Sequence, residues 1–157
     1  MDSLVKLRHT IDALFGSGIS RNFPRDIQIE YSKRTGRIRS VYHKERFLCS
    51  LRIDGGITLT PYLAQLLLKN KKFRQNCVEI VKDAVPFVRE GRSVFCKHVS
   101  WCGKNVGISS DTPVLYKDNV IAVGRAVLSA RTIPAMKRGV AIKIRDSLKS
   151  NSKKRLP

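Results

Sequence analysis

Arg92 directly follows Gly91 in the run Gly91-Arg92-Ser93-Val94-Phe95. A glycine lets the backbone approach a ligand with no Cβ in the way. An arginine fork matches phosphate oxygens better than a lysine point charge does. Lys97 lies a few residues on, in a segment that reads as a strand. Lys143 and Arg145 occupy alternating positions of the last strand-like run, Gly139–Arg145, and extend the same cationic group. A second group, Lys33, Arg34, Arg37 and Arg39, surrounds one turn near the N-terminus. The chemistry these residue types support is phosphate contact. Two plainer roles compete with it. Gly91 also suits a helix C-cap, and cations along a hairpin discourage edge-to-edge pairing.

Catalysis needs convergent groups, and the sequence offers none. His9, His43 and His98 fall in different elements, and Asp54 before Gly55-Gly56 fits turn chemistry. The Gly-x-x-x-x-Gly-Lys phosphate cradle does not occur. Cys96 and Cys102 flank His98, but zinc sites want close paired ligands. Cys49, Cys77, Cys96 and Cys102 read as free, partly buried thiols. No metal and no cofactor is expected, and the chain reads as a non-enzyme. Trp101 and Tyr116 are the aromatic residues that could stack on an unpaired base, although packing on the domain is the commoner fate of such rings.

The charge balance points the same way as the cation clusters. The 157 residues hold 31 Lys+Arg against 12 Asp+Glu, a formal net charge of +19. Residues 1–76 carry 15 basic and 6 acidic groups, and residues 77–157 carry 16 and 6. The excess is therefore spread over the chain and does not come from one tail. Such a field attracts polyanions and gives salt-sensitive binding. A hydrophobic fraction of 42% is ample for a core and excludes a disordered class. No run approaches the ~20 apolar residues of a membrane-spanning helix. Met1-Asp2-Ser3 opens no signal peptide. No membrane contact and a cytoplasmic location are expected.

The elements that would position these residues fall into two groups. Leu4, Leu7, Ile11, Leu14 and Phe15 recur at helical spacing over residues 3–15, with Asp2 or Ser3 as cap and Gly16 as stop. Residues 27–59 read as an antiparallel meander with turns at Lys33–Gly36, His43–Arg46 and Asp54–Gly56. Phe47, Cys49, Leu51 and Ile53 are expected to share one face of it. Thr60 caps and Pro61 opens a second helix, followed by Lys69, Lys71, Lys72 and Arg74. Beyond residue 77 come a strand at Val78–Val81, a short helix at Ala84–Glu90 stopped by Gly91, and a strand at Val94–Val99. A loop at Trp101–Asn105, a hairpin around Lys117-Asp118-Asn119 and a final strand complete it. Several short strands with one small helix suggest a nearly closed barrel. The fold class is α+β: a small α/β unit over residues 1–76, a β-barrel over 77–148, and a basic, flexible tail over 149–157.

The second unit resembles a PUA domain, a small RNA-binding β-barrel. Pro86-Phe87-Val88, Gly91–Phe95, Ala122–Ala126 and Gly139–Arg145 carry the likeness, in order and at barrel-like spacing. The run Ser32–Tyr42, with Ser50-Leu51-Arg52 and Leu59-Thr60, resembles the domain that precedes the PUA domain in archaeal tRNA-guanine transglycosylases. Ser109-Ser110-Asp111 replaces the family's Gly-Asp turn, and Trp101–Asn105 departs from its acidic loop. The family's catalytic barrel has no counterpart here. The resemblance implies RNA contact near the short helix and the strand after it. Gly91, Arg92 and Ser93 are carried over on that ground, with Lys97, Lys143 and Arg145 as extensions.

The implied function is RNA binding, with tRNA as the partner. The chain would act alone or in trans to a separately encoded transglycosylase-like enzyme of archaeosine formation. Two alternatives stand beside it: a translation or ribosome-associated factor, and a subunit for protein contact such as a homodimer. The Thr35–Arg39 hairpin favours the first reading over the translation factor.

Overall fold

The computed structural model describes residues 2–148, so the expected tail over 149–157 lies outside the described residues. The chain divides into two compact units, with the division between Phe73 and Arg74.

In the first unit, α1 (Ser3–Phe15) begins at Asp2, whose carboxylate accepts the Leu4 N–H at 3.3 Å, and stops at Gly16. Its buried face is Leu7, Ile11 and Phe15, the helical stripe the spacing predicts. Four antiparallel strands follow in sequence order: β1 (Ile27–Tyr31), β2 (Ile38–His43), β3 (Arg46–Leu51) and β4 (Ile57–Leu59). Then comes α2 (Pro61–Leu67). The Thr60 hydroxyl accepts the Leu63 N–H at 3.2 Å and donates to the Leu48 carbonyl at 2.7 Å, which ties the helix start to β3. Phe73 is fully buried and meets Phe15 edge-on at 5.6 Å.

One expected face does not form. Ile53 is 96% exposed and Phe47 is 40% exposed. The ladder register shifts between Val41 and Tyr42, opposite Phe47, and a shift of one residue exchanges faces. Strand β3 ends at Leu51. The Asp54 carboxylate then accepts the Gly56 N–H at 2.8 Å and closes a turn that lifts Ile53 out of the sheet.

The second unit is a six-stranded sheet built from β5 (Val78–Ile80), β6 (Val94–Phe95), β7 (Val99–Cys102), β8 (Asp111–Tyr116), β9 (Asn119–Ala126) and β10 (Val140–Ser147), with α3 (Val85–Arg89) between β5 and β6. The strand order is β6-β10-β9-β8-β5-β7, with β5 and β8 parallel and the other pairs antiparallel. The two edge strands, β6 and β7, are joined by the short 3₁₀ turn Cys96–His98. That turn carries the chain from one edge of the sheet to the other, so the sheet curls into a nearly closed barrel. The strand expected over Val94–Val99 is therefore two strands. Val88 of α3 packs into the barrel core with Val78, Val114, Ile121 and Ile142. Near-continuous burial along β8 and β9 marks them as the interior strands. Trp101, expected in a loop, lies on β7 opposite Glu79.

Candidate nucleic-acid interface

Helix α3 is only five residues long, and its end organises the site. Gly91 takes φ +95°, a left-handed conformation that glycine adopts without strain. Its N–H donates to the Val88 carbonyl, and the Arg92 N–H donates to the Phe87 carbonyl, both at 3.0 Å. This pair of bonds is a Schellman cap. It fixes the Arg92 backbone against the helix it follows. The Arg92 guanidinium lies 5.6 Å from the centroid of the Phe87 ring. Phe87 is half exposed. Arg92 is exposed and has no ion-pair partner among the described residues. A Cβ built on Gly91 meets nothing within 4 Å, so the surface there is open. Gly91 is thus a C-cap and an open approach at once. Ser93 is half-buried and directly precedes β6.

Lys97 stands on the Cys96–His98 turn and not on a strand, because the chain crosses between barrel edges at that point. It is exposed. The Cys96 N–H donates to the Gly139 carbonyl at 3.0 Å. Lys97 and Arg138 therefore follow and precede the two residues of one inter-strand bond. Arg138 and its neighbour Lys137 are exposed too. Sequence reading passed over both, because no periodic pattern marks the β9–β10 connection. Phe95, 43% exposed, packs edge-on to His98 at 6.1 Å.

Lys143 and Arg145 both project outward from β10, but they differ in state. Both guanidinium nitrogens of Arg145 bind the Asp111 carboxylate, with Nη2 to Oδ2 at 3.1 Å and Nη1 to Oδ1 closer. Asp111 is buried, so this is a bidentate, partly desolvated pair. Arg145 is consequently a structural clamp from β10 to β8, and the expected alternation of two free cations holds only for Lys143. Sequence reading also missed Arg125. It stands on β9 directly opposite Lys143 and is exposed.

In the first unit, Lys33, Arg34 and Arg37 are exposed around the β1–β2 connection. That connection is well held. The Ser32 N–H donates to the Arg37 carbonyl and the Gly36 N–H to the Ser32 carbonyl, both at 2.8 Å. Arg39 sits on β2, 3.9 Å from Glu30, with both side chains more than half exposed. A pair of that kind contributes little.

Arg74 and Trp101 are engaged within the second unit. The Arg74 guanidinium binds Glu79 at 2.7 Å and also Asp118, and it lies 4.9 Å from the Trp101 ring centroid. It fastens the start of the barrel to the β8–β9 hairpin. No group of three His, Cys, Asp or Glu side chains positioned for a metal occurs among the described residues. Burial pushes the Cys49 thiol up to about 12 and the Cys102 thiol up to about 11, and raises Cys77 and Cys96 as well. All four are protonated at neutral pH and are poor nucleophiles there. No helix among the described residues is long and apolar enough to cross a membrane.

Residues 76–148 match the model of the PUA domain. Residues 6–73 match that of the patch-forming domain C2 of tRNA-guanine transglycosylase. The barrel and its capped helix are accordingly those of a PUA-domain protein, and the meander unit before it is a C2 domain. More particularly, the chain is homologous to the C-terminal region of archaeal tRNA-guanine transglycosylases. It is 35% identical over 96% of its length to the tRNA-guanine(15) transglycosylase of Thermoplasma acidophilum, of which it covers 24%. The corresponding figures for the enzyme of Methanobrevibacter smithii are 33%, 94% and 23%. The chain thus spans about a quarter of the length of these curated relatives. Among solved structures, a hypothetical protein of Pyrococcus horikoshii superposes with a TM-score of 0.71 at 16% identity, covering 92% of this chain and 89% of that one. A conserved PUA-domain protein of Thermoplasma acidophilum gives 0.61 at 18% identity, covering 90% of each chain. These two likenesses speak to the fold.

Proposed function

We propose that this protein is a non-enzymatic RNA-binding protein that grips tRNA through the α3 cap of its barrel. It serves tRNA modification in the cytoplasm, either alone or in trans to a separately encoded transglycosylase-like enzyme. The observation that carries the reading is the pairing of Arg92 with Phe87. Arg92 has no ion-pair partner among the described residues, its backbone is fixed by a Schellman cap next to the open Gly91, and its guanidinium lies beside a half-exposed ring. The cation suits a backbone phosphate and the ring face suits an unstacked base. Lys97, Lys137 and Arg138 add cations on the turn and connection that meet at the Cys96–Gly139 bond. In the first unit Lys33, Arg34 and Arg37 offer a further phosphate-contacting group on a hydrogen-bonded loop. Homology to the C-terminal quarter of tRNA-guanine transglycosylases supports tRNA as the RNA and modification as the setting.

The test is the affinity of the full chain for a tRNA transcript, measured across a salt series. Arg92→Ala should weaken binding roughly tenfold and lower the magnitude of the salt slope by about 0.9, the loss of one phosphate contact. Unchanged affinity and slope in Arg92→Ala would refute the site. A wild-type chain that binds tRNA no better than it binds heparin would refute the function.

A further inference from the structure

Arg125 on β9 and Lys143 on β10 face each other directly in the antiparallel ladder. Opposed residues project from the same face with Cβ atoms about 5 Å apart, and like charges so placed repel. The register supplies one acid to this row, Asp111 on β8, which stands opposite Arg125 on its other side. Arg145 takes that carboxylate with both guanidinium nitrogens. Neither Arg125 nor Lys143 has an ion-pair partner among the described residues. The strands also sit close together. A Cβ on Gly124 would lie 2.2 Å from the Lys143 carbonyl oxygen, so the tight β9–β10 crossing requires glycine there. The row therefore holds two opposed cations, and the acid that the register sets beside Arg125 is bound by Arg145.

We propose that Arg125 and Lys143 form a clasp for one RNA phosphate, a contact separate from that of Arg92. The inference rests on the RNA-binding reading above. A phosphate between the two side chains accepts hydrogen bonds from the arginine fork and from the ammonium, and it turns their repulsion into a shared attraction. Because the repulsion exists only in the free protein, relieving it adds to binding. Arg145 acts as a positioning residue, since by holding Asp111 it keeps an internal carboxylate from occupying the clasp.

The decisive variant is Lys143→Glu, which sets a carboxylate opposite Arg125. It should raise the thermal midpoint of the RNA-free protein at low salt and at the same time weaken tRNA binding. The opposite signs separate a ligand clasp from a merely structural pair. The double variant Arg125→Gln/Lys143→Gln should lower the magnitude of the salt slope by about 0.9, the loss of one neutralised phosphate. It should also lose the rise in thermal midpoint that sodium tripolyphosphate gives the wild type. A lower midpoint in Lys143→Glu, or a double variant with wild-type slope, would overturn the clasp while leaving the Arg92 reading intact. If the wild type binds no tRNA, the RNA reading itself fails. The tripolyphosphate arm then decides the pair, because an equal shift in wild type and double variant overturns an anion clasp of any kind.

Discussion

Two glycines in the barrel should respond to the same substitution in opposite ways. A Cβ on Gly124 would lie 2.2 Å from the Lys143 carbonyl oxygen and 2.8 Å from its carbon, and both are backbone atoms that cannot rotate away. Ordinary C···O contacts begin near ~3.3 Å, so Gly124→Ala must push β10 off β9 by roughly 1 Å. Ladder bonds of ~2.9 Å would then stretch past the ~3.2 Å limit of useful N–H···O geometry. The loss of two or three such bonds, at about 1 kcal/mol each, together with a loosened core beneath them, gives about 3 kcal/mol or more of destabilisation. Gly91→Ala meets no atom within 4 Å, so only its backbone conformation at φ +95° resists the change. That costs about 1–2 kcal/mol. The assay is urea denaturation of the full chain followed by circular dichroism and tryptophan fluorescence, with tRNA affinity measured in parallel at a temperature where each variant is folded. Gly124→Ala should shift the midpoint the more, and Gly91→Ala should weaken tRNA binding out of proportion to its smaller shift. A Gly124→Ala variant within ~1 kcal/mol of wild type would refute the close-crossing argument.

Two further outcomes follow from the described contacts. Arg145→Ala removes the guanidinium from the buried Asp111 carboxylate and should destabilise the protein by about 2 kcal/mol, a value below that of fully buried pairs because Arg145 is partly exposed; Lys143→Ala should stay within ~0.5 kcal/mol in denaturation, and equal effects would show that the two strand cations do not differ as described. Stability should fall at alkaline pH, because the buried thiol of Cys49 and the half-buried thiol of Cys102 stay protonated up to about 12 and about 11 when folded but ionise from the ordinary value of 9.0 when unfolded. The unfolded state then binds fewer protons, so stability is intact below pH 9 and declines above it by up to about 1.4 kcal/mol per pH unit for Cys49, with a smaller share from the solvent-screened Cys102. Urea midpoints at pH 8 and 10 check this, and Cys49→Ala should flatten the decline.

Much of the molecule was legible in the chain because local chemistry wrote it there. The Asp2 cap, the Leu7-Ile11-Phe15 stripe and the Gly16 stop follow from helical spacing and capping, and the structure has all of them. Thr60 and Pro61 likewise announce α2, and Gly91 ends α3. The misreadings share a cause. Alternation assigns Phe47 and Ile53 to a buried face, but the register shift opposite Phe47 moves that ring, and the end of β3 at Leu51 with the Asp54 turn displaces Ile53. Local pattern places Lys97 on a strand, because nothing local says that Val94–Val99 spans two barrel edges.

By itself, then, the sequence determined the two units, the helix caps, the overall cationic field and the family resemblance, since propensity, periodicity and net charge are sums over neighbouring residues. Only the tertiary structure decided which cations keep their charge available. Arg145 and Arg74 are bound to carboxylates 34 and 44 positions away, while Arg92, Arg125 and Lys143 have no ion-pair partner among the described residues. The physical reason is that an ion pair depends on distance in space, and strand order brings Asp111 within reach of Arg145 while leaving Arg125 facing Lys143.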